Sequence, residues 1–173
     1  DVGRDLPGEV VLLVTCDEEV GSTTSRPLIE ETARSARAAL VPEPCAPGGR
    51  VKTRRKGQAG YRLEARGVAA HAGIEPEKGA SAIHELARQI LRVVEMADAE
   101  VGTTLSVGLV EGGTRTNVVA ARASAQVDVR FWTREEADRI DAAMAALEPV
   151  DDRCALSVEG SVNRYPLERT PPS

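Results

Sequence analysis

Three consecutive acids, Asp17, Glu18 and Glu19, follow directly on the apolar run EVVLLVTC at residues 9–16. A run of this kind reads as a strand buried on both faces of a parallel sheet. The acids then stand at its carboxyl end, the edge where open α/β sheets bind ligands. Adjacent carboxylates repel one another unless solvent, protons or a cation relieves the repulsion. Glu43 follows a second short apolar segment, residues 38–41. If the two strands are neighbours, acids from both meet at one edge and can cradle one or two divalent metals. The same acids also fit a solvated loop that opens a turn.

His71 sits among small residues in GVAAHAG at 67–73, which leaves its imidazole accessible. It reads either as a plain loop histidine or as a group open to a ligand. The chain's other histidine, His84, lies beside the apolar stripe of a helix and reads as surface, so an all-histidine metal site is excluded. GGTRTN at 112–117 is a glycine-led turn between two strands, ending at Asn117. In the strand that follows, Val127 and Val129 face one way, so Asp128 and Arg130 face the other. Arg130 is either one half of a surface ion pair or a fork for a ligand carboxylate. The basic run Arg50, Lys52, Arg54, Arg55 and Lys56 reads first as a solvated strand and linker, with phosphate binding as the alternative.

The elements that must hold these residues follow from spacing. Ser25 can cap a helix with Pro27 in its first turn. With the flanking segments 9–16 and 38–41 this makes a strand–helix–strand unit. The Pro/Gly-rich stretch at 42–49 marks a boundary. Beyond it, strands are expected over 51–56, 59–66, 103–110, 118–132 and 154–159. Residues 80–96 show helical periodicity, and Thr133 with Glu136 opens a second helix as a capping box. This order is the split βαβ, ferredoxin-like arrangement. The chain thus divides into 1–50, part of a parallel-sheet α/β domain, then 51–162, an α+β βαββαβ domain, and 163–173, a return segment.

Composition excludes several classes. The 173 residues are 42% hydrophobic and 28% charged, a globular balance. Aromatics are only 2% and the net charge is −5, which argues against a base-stacking or phosphate-tracking surface, and so against nucleic acid. The aliphatic run at 10–14 is far too short to span a membrane. Cys16, Cys45 and Cys154 are odd in number and widely spaced, which fits reduced thiols and a cytoplasmic location. The first residue is Asp1 rather than Met, which leaves export open. Cys16, ending an apolar run, reads as a small buried hydrophobe.

The segments LLVTCDEEVGS, LVPEP, RKGQAGYRLEARGVAAHAGIEPEKGASAI, GGTRTNVV, AQVDVRFW and VNRYP resemble, in order, the co-catalytic metallopeptidase family. That family includes glutamate carboxypeptidase, aminoacylase, acetylornithine deacetylase and succinyl-diaminopimelate desuccinylase, and the glutamate carboxypeptidase branch is the most similar in flavour. The resemblance implies hydrolysis of an amide bond in a small peptide or N-acyl amino acid by metal-activated water, with Glu18 as general base. It implies Glu19 and Glu43 as ligands of two zinc ions, with manganese or cobalt as substitutes. It implies His71 as an oxyanion donor reaching into a partner subunit of a homodimer built through the lid domain, and Asn117, Arg130 and Arg164 as substrate contacts. Arg164 is followed by Tyr165 where the family usually has proline. The family's remaining metal ligands would lie before residue 1 and after residue 173, so this chain alone is expected to be inactive. The competing expectation is a non-catalytic dimerisation or carboxylate-binding module.

Overall fold

The computed structural model describes residues 8–168, so the outermost parts of the expected 1–50 and 163–173 segments lie outside the described residues. The chain divides into two units, residues 1–45 and 46–173.

In the first unit, residues 9–16 and 38–41 carry no strand pairing, contrary to the expected strands. Val10, Leu12 and Val14 are 71%, 83% and 81% exposed. A strand exists only through the hydrogen-bond ladder of a neighbour, and no neighbouring strand is described in this unit. Cys16 is exposed for the same reason, not buried as its run suggested. Helix α1 (Arg26–Ser35) forms as expected, with Pro27 in its first turn. Ser25 does not cap it through its own side chain. Instead the Asp17 carboxylate accepts the backbone N–H and hydroxyl of both Thr24 and Ser25, at 2.5–3.1 Å.

The second unit is a four-stranded antiparallel sheet with two helices packed on it. Its elements are β1 (Gly57–Arg66), α2 (Ala82–Glu95), β2 (Thr104–Gly112), β3 (Arg122–Phe131), α3 (Arg134–Ala145) and β4 (Ala155–Arg164). The sheet order is β2-β3-β1-β4, the βαββαβ arrangement expected from the sequence. Alternation sets the faces. Ala59, Tyr61, Leu63 and Ala65 of β1, with Ala123, Ala125, Val127, Val129 and Phe131 of β3, are buried on one side with Leu86, Val93, Ile140 and Met144 of the helices. Gln58, Arg62, Glu64, Ser124, Asp128 and Arg130 take the other face.

Two side chains start the helices as their types dictate. Ser81 accepts the His84 N–H at the start of α2, and Thr133 accepts the Glu136 N–H at the start of α3. The capping box is only half made, because the Glu136 carboxylate turns to the Thr103 hydroxyl at 2.6 Å and to Arg139. Of the expected strand over 51–56 only Arg55 pairs, with Leu167, through reciprocal backbone bonds of 3.1 and 2.9 Å. The segments entering and leaving the sheet therefore run side by side. Arg54 lies 4.2 Å from the centroid of Trp132, and Arg134 lies 3.6 Å from that of Tyr165. Both connections are thus held against the β3–α3 corner by cation–π contacts.

Candidate active site

The expected site residues fall into the two units and into three groups. Glu18 and Glu19 occupy a 3₁₀ turn, Glu18–Val20, directly after Asp17. Both are exposed, as is Glu43, whose N–H is bonded to the Val41 carbonyl. Hydrogen bonds from the Ser25 and Thr24 hydroxyls hold the Asp17 carboxyl well below the ordinary aspartate range. That anchor fixes the turn on which Glu18 and Glu19 sit. Among the described residues no three His, Cys, Asp or Glu side chains gather as a metal-holding cluster. Zinc sites take four ligands, or three plus an open position, so the described acids do not by themselves complete a metal centre.

The second group is His71 with Asn117. The loop of residues 67–80 is stitched along its length to residues 117–121. Gly67 N–H bonds the Ala121 carbonyl at 2.9 Å, Val119 N–H bonds that of Ala70 at 2.9 Å, and Ala72 N–H bonds that of Asn117 at 3.0 Å. Gly67 is required there, because a Cβ at that position would stand 2.0 Å from the Ala80 carbonyl oxygen. Gly113, at φ +74°, makes the turn out of β2 that brings Asn117 back. The His71 ring is oriented by its own loop: Nδ1 accepts the Gly73 N–H at 3.1 Å. In the neutral ring the proton then belongs to Nε2, which bonds no described residue and is available as a donor.

The third group is at the far end of the sheet. Arg130 pairs in register with Gln58 of β1, and Gln58 pairs on its other side with Arg164 of β4. Two strand spacings, about 10 Å, separate the two arginine backbones. The Arg130 guanidinium is engaged by Asp128 of its own strand, through Nε at 2.7 Å and Nη2 at 3.1 Å. The Asp128 carboxylate also accepts Gln58 Nε2 at 3.1 Å. The ion pair left open by the sequence therefore forms, with both side chains about 40% exposed.

The second and third groups do not meet. His71 and Asn117 lie by the Arg122 end of β3, and Arg130 lies eight residues along it, about 26 Å at the strand rise. One copy of this unit cannot place His71 and Arg130 on one small ligand. Sequence spacing missed this separation, because Asn117 and Arg130 are close in the chain while an extended strand holds them apart.

The surface contains one more feature that periodicity did not separate. The stripe expected at Ile83, Leu86, Ala87, Ile90, Leu91 and Val94 is only partly the buried face of α2: Ala82, Leu86 and Val93 enter the core, whereas Ile83, Leu91 and Val94 remain 43%, 62% and 39% exposed. Ile83, Leu86, Ala87 and Ile90 line a cavity of about 300 Å³ with Val110 and Gly112 of the edge strand β2. Val110 is 56% exposed. No helix among the described residues is long and apolar enough to cross a membrane.

Comparison with known proteins finds relatives in sequence and in fold. Carboxypeptidase G2 of Pseudomonas sp. (strain RS-16) is 33% identical over 142 residues, covering 82% of this chain and 34% of its own length. Acetylornithine deacetylase of Myxococcus xanthus is 30% identical over 175 residues, covering 93% of this chain and 45% of its own. The chain thus spans between a third and a half of these relatives. The crystal structure of aminopeptidase PepT from Bacillus cereus superposes with a TM-score of 0.72 at 24% identity, over 92% of this chain and 43% of that one, and shares the fold. The family model described as the peptidase dimerisation domain matches residues 53–148, more than half of the chain. With its βαββαβ unit and the relatives that carry the same segments, the chain belongs to the M20 peptidase family.

Proposed function

We propose that this chain is the central part of a metal-dependent amidohydrolase that cleaves the amide bond of a small peptide or N-acyl amino acid bearing a free carboxylate. The observation that supports this reading most directly is the His71 loop. A ring nitrogen fixed by its own backbone, with its second nitrogen free to donate and Asn117 stitched beside it, is a preorganised donor for a developing oxyanion. Glu18, exposed on an anchored turn, is suited to take a proton from the attacking water and return it to the leaving amine. Glu19 and Glu43 contribute ligands to divalent metal, zinc first, with the remaining ligands supplied from outside residues 1–173. The metal would supply Lewis-acid polarisation of the scissile carbonyl. Arg130 and Arg164 hold the substrate carboxylate.

The separation of His71 from Arg130 favours assembly from two copies, one contributing His71 and Asn117 and the other the arginines. The spare face of α2 beside the unpaired edge of β2 suits a second copy, because an open edge flanked by apolar side chains is a pairing surface. A cytoplasmic location belongs to the same reading.

The test is hydrolysis of N-acyl-glutamate and dipeptide substrates by the full-length enzyme in zinc, with Glu18→Gln and His71→Ala variants. We expect Glu18→Gln to lose at least three orders of magnitude in kcat, His71→Ala to lose about two, and the 173-residue chain alone to give no turnover. Full activity of Glu18→Gln would sink the assignment.

A further inference from the structure

The pair Arg130–Asp128 is too exposed to account for itself by stability. A half-exposed ion pair contributes at most about 1 kcal/mol, and Asp128 and Arg130 are separated by one residue of a strand that the ladder already fixes. What the contact does determine is the orientation of the guanidinium. An arginine presents two forks, one formed by Nε with the nearer terminal nitrogen and the other by its two terminal nitrogens. Asp128 occupies the first, with Nε to Oδ2 at 2.7 Å and Nη2 to Oδ1 at 3.1 Å. Asp128 is itself held, because Gln58 Nε2 donates to its Oδ1 at 3.1 Å from the neighbouring strand. The chain Gln58–Asp128–Arg130 therefore locks the plane of the guanidinium. Nη1 bonds no described residue, and the second fork is left for a carboxylate that does not belong to this unit.

We infer that Asp128, braced by Gln58, is a positioning residue that presents the terminal fork of Arg130 to the carboxylate of the substrate. This rests on the reading of Arg130 as a substrate contact given above. The assignment separates two roles that sequence spacing left as alternatives: the ion pair and the ligand fork use different edges of one side chain. It also explains why a carboxylate can sit beside an anion-binding arginine without blocking it. Freed from Asp128, the flexible arginine would have to be ordered by the substrate itself, and that entropy would appear as weaker binding.

The experiment compares full-length wild type, Arg130→Ala, Asp128→Ala, Asp128→Asn and Gln58→Ala on an N-acyl-glutamate and on its α-carboxamide counterpart. Affinity for a non-hydrolysable analogue of each is measured by calorimetry, so that a loss of turnover does not hide the effect. Arg130→Ala is expected to raise KM for the acid about a hundredfold. Asp128→Ala is expected to raise it about tenfold with kcat within twofold, Asp128→Asn less because one acceptor remains, and Gln58→Ala two- to threefold. Each should change KM for the carboxamide far less than KM for the acid, whereas a general loss of structure would raise both. An unchanged KM in Asp128→Ala beside a raised KM in Arg130→Ala overturns the positioning role alone. An unchanged KM in Arg130→Ala removes the substrate contact on which it stands.

Discussion

Glu85 is a carboxylate with no exposed surface, on a helix that buries Ala82, Leu86 and Val93 and, beside it, the polar Gln89. Burial pushes its pKa up, but hydrogen bonds from the Gln89 side chain and the N–H groups of Val150 and Asp151 outweigh it, and the net shift is downward. It holds the turn between α3 and β4 onto α2. Glu85→Ala leaves those N–H groups without their acceptor, and urea denaturation at pH 7 should show a loss of about 3 kcal/mol. A depressed carboxyl stabilises the folded state above its unfolded pKa, and that stability is lost as pH falls through the folded value. The gap between wild type and variant should therefore narrow on acidification below the ordinary glutamate range. Nothing in the sequence marked Glu85, since a charged residue among helical apolar positions reads as solvated until the opposing turn is known. Asp128 and Arg130 were legible as a pair on one face, but which fork of the arginine the aspartate takes depends on χ angles that no pattern encodes.

At the scale of elements, strand alternation was enough where the partner lay within this chain, whereas helical periodicity found α2 but not which of its residues are buried. The faces of β1 and β3, the Thr133 cap and the βαββαβ order all follow local rules. Residues 9–16 and 51–56 did not, because a strand is a relation between two segments and its sequence specifies only one of them. The basic run resolves in a way that composition could not anticipate: Arg54 lies on Trp132 and Arg55 pairs with Leu167, while Lys56 Nζ bonds the Gly102 carbonyl. Trp132 is the chain's sole tryptophan and so reports this corner alone. Arg54→Ala should change its fluorescence, and exchange of the Leu167 amide should quicken about fivefold, equivalent to the roughly 1 kcal/mol of a partly exposed cation–π contact. An unaltered Leu167 exchange rate would mean that the backbone pair stands without the stacked arginine.

For the molecule as a whole, the proposed assembly seats a second copy on the exposed side of α2 and the β2 edge. Leu91→Asp together with Val110→Asp places two charges where a second copy would dock, at positions 62% and 56% exposed in the single chain. Sedimentation should show wild type as a dimer and the double variant as a monomer with unchanged far-ultraviolet circular dichroism. A wild type that sediments as a monomer at micromolar concentration would remove this face from the assembly. The reciprocal bonds between Arg55 and Leu167 have a consequence of another kind. They close the whole βαββαβ segment into a loop whose two ends meet, so it is joined to anything else through two adjacent points. Such a segment can be excised and circularised with a short glycine link, or set into a surface loop of an unrelated host, without stretching a single strand. It is a cassette in the topological sense, entered and left at one place.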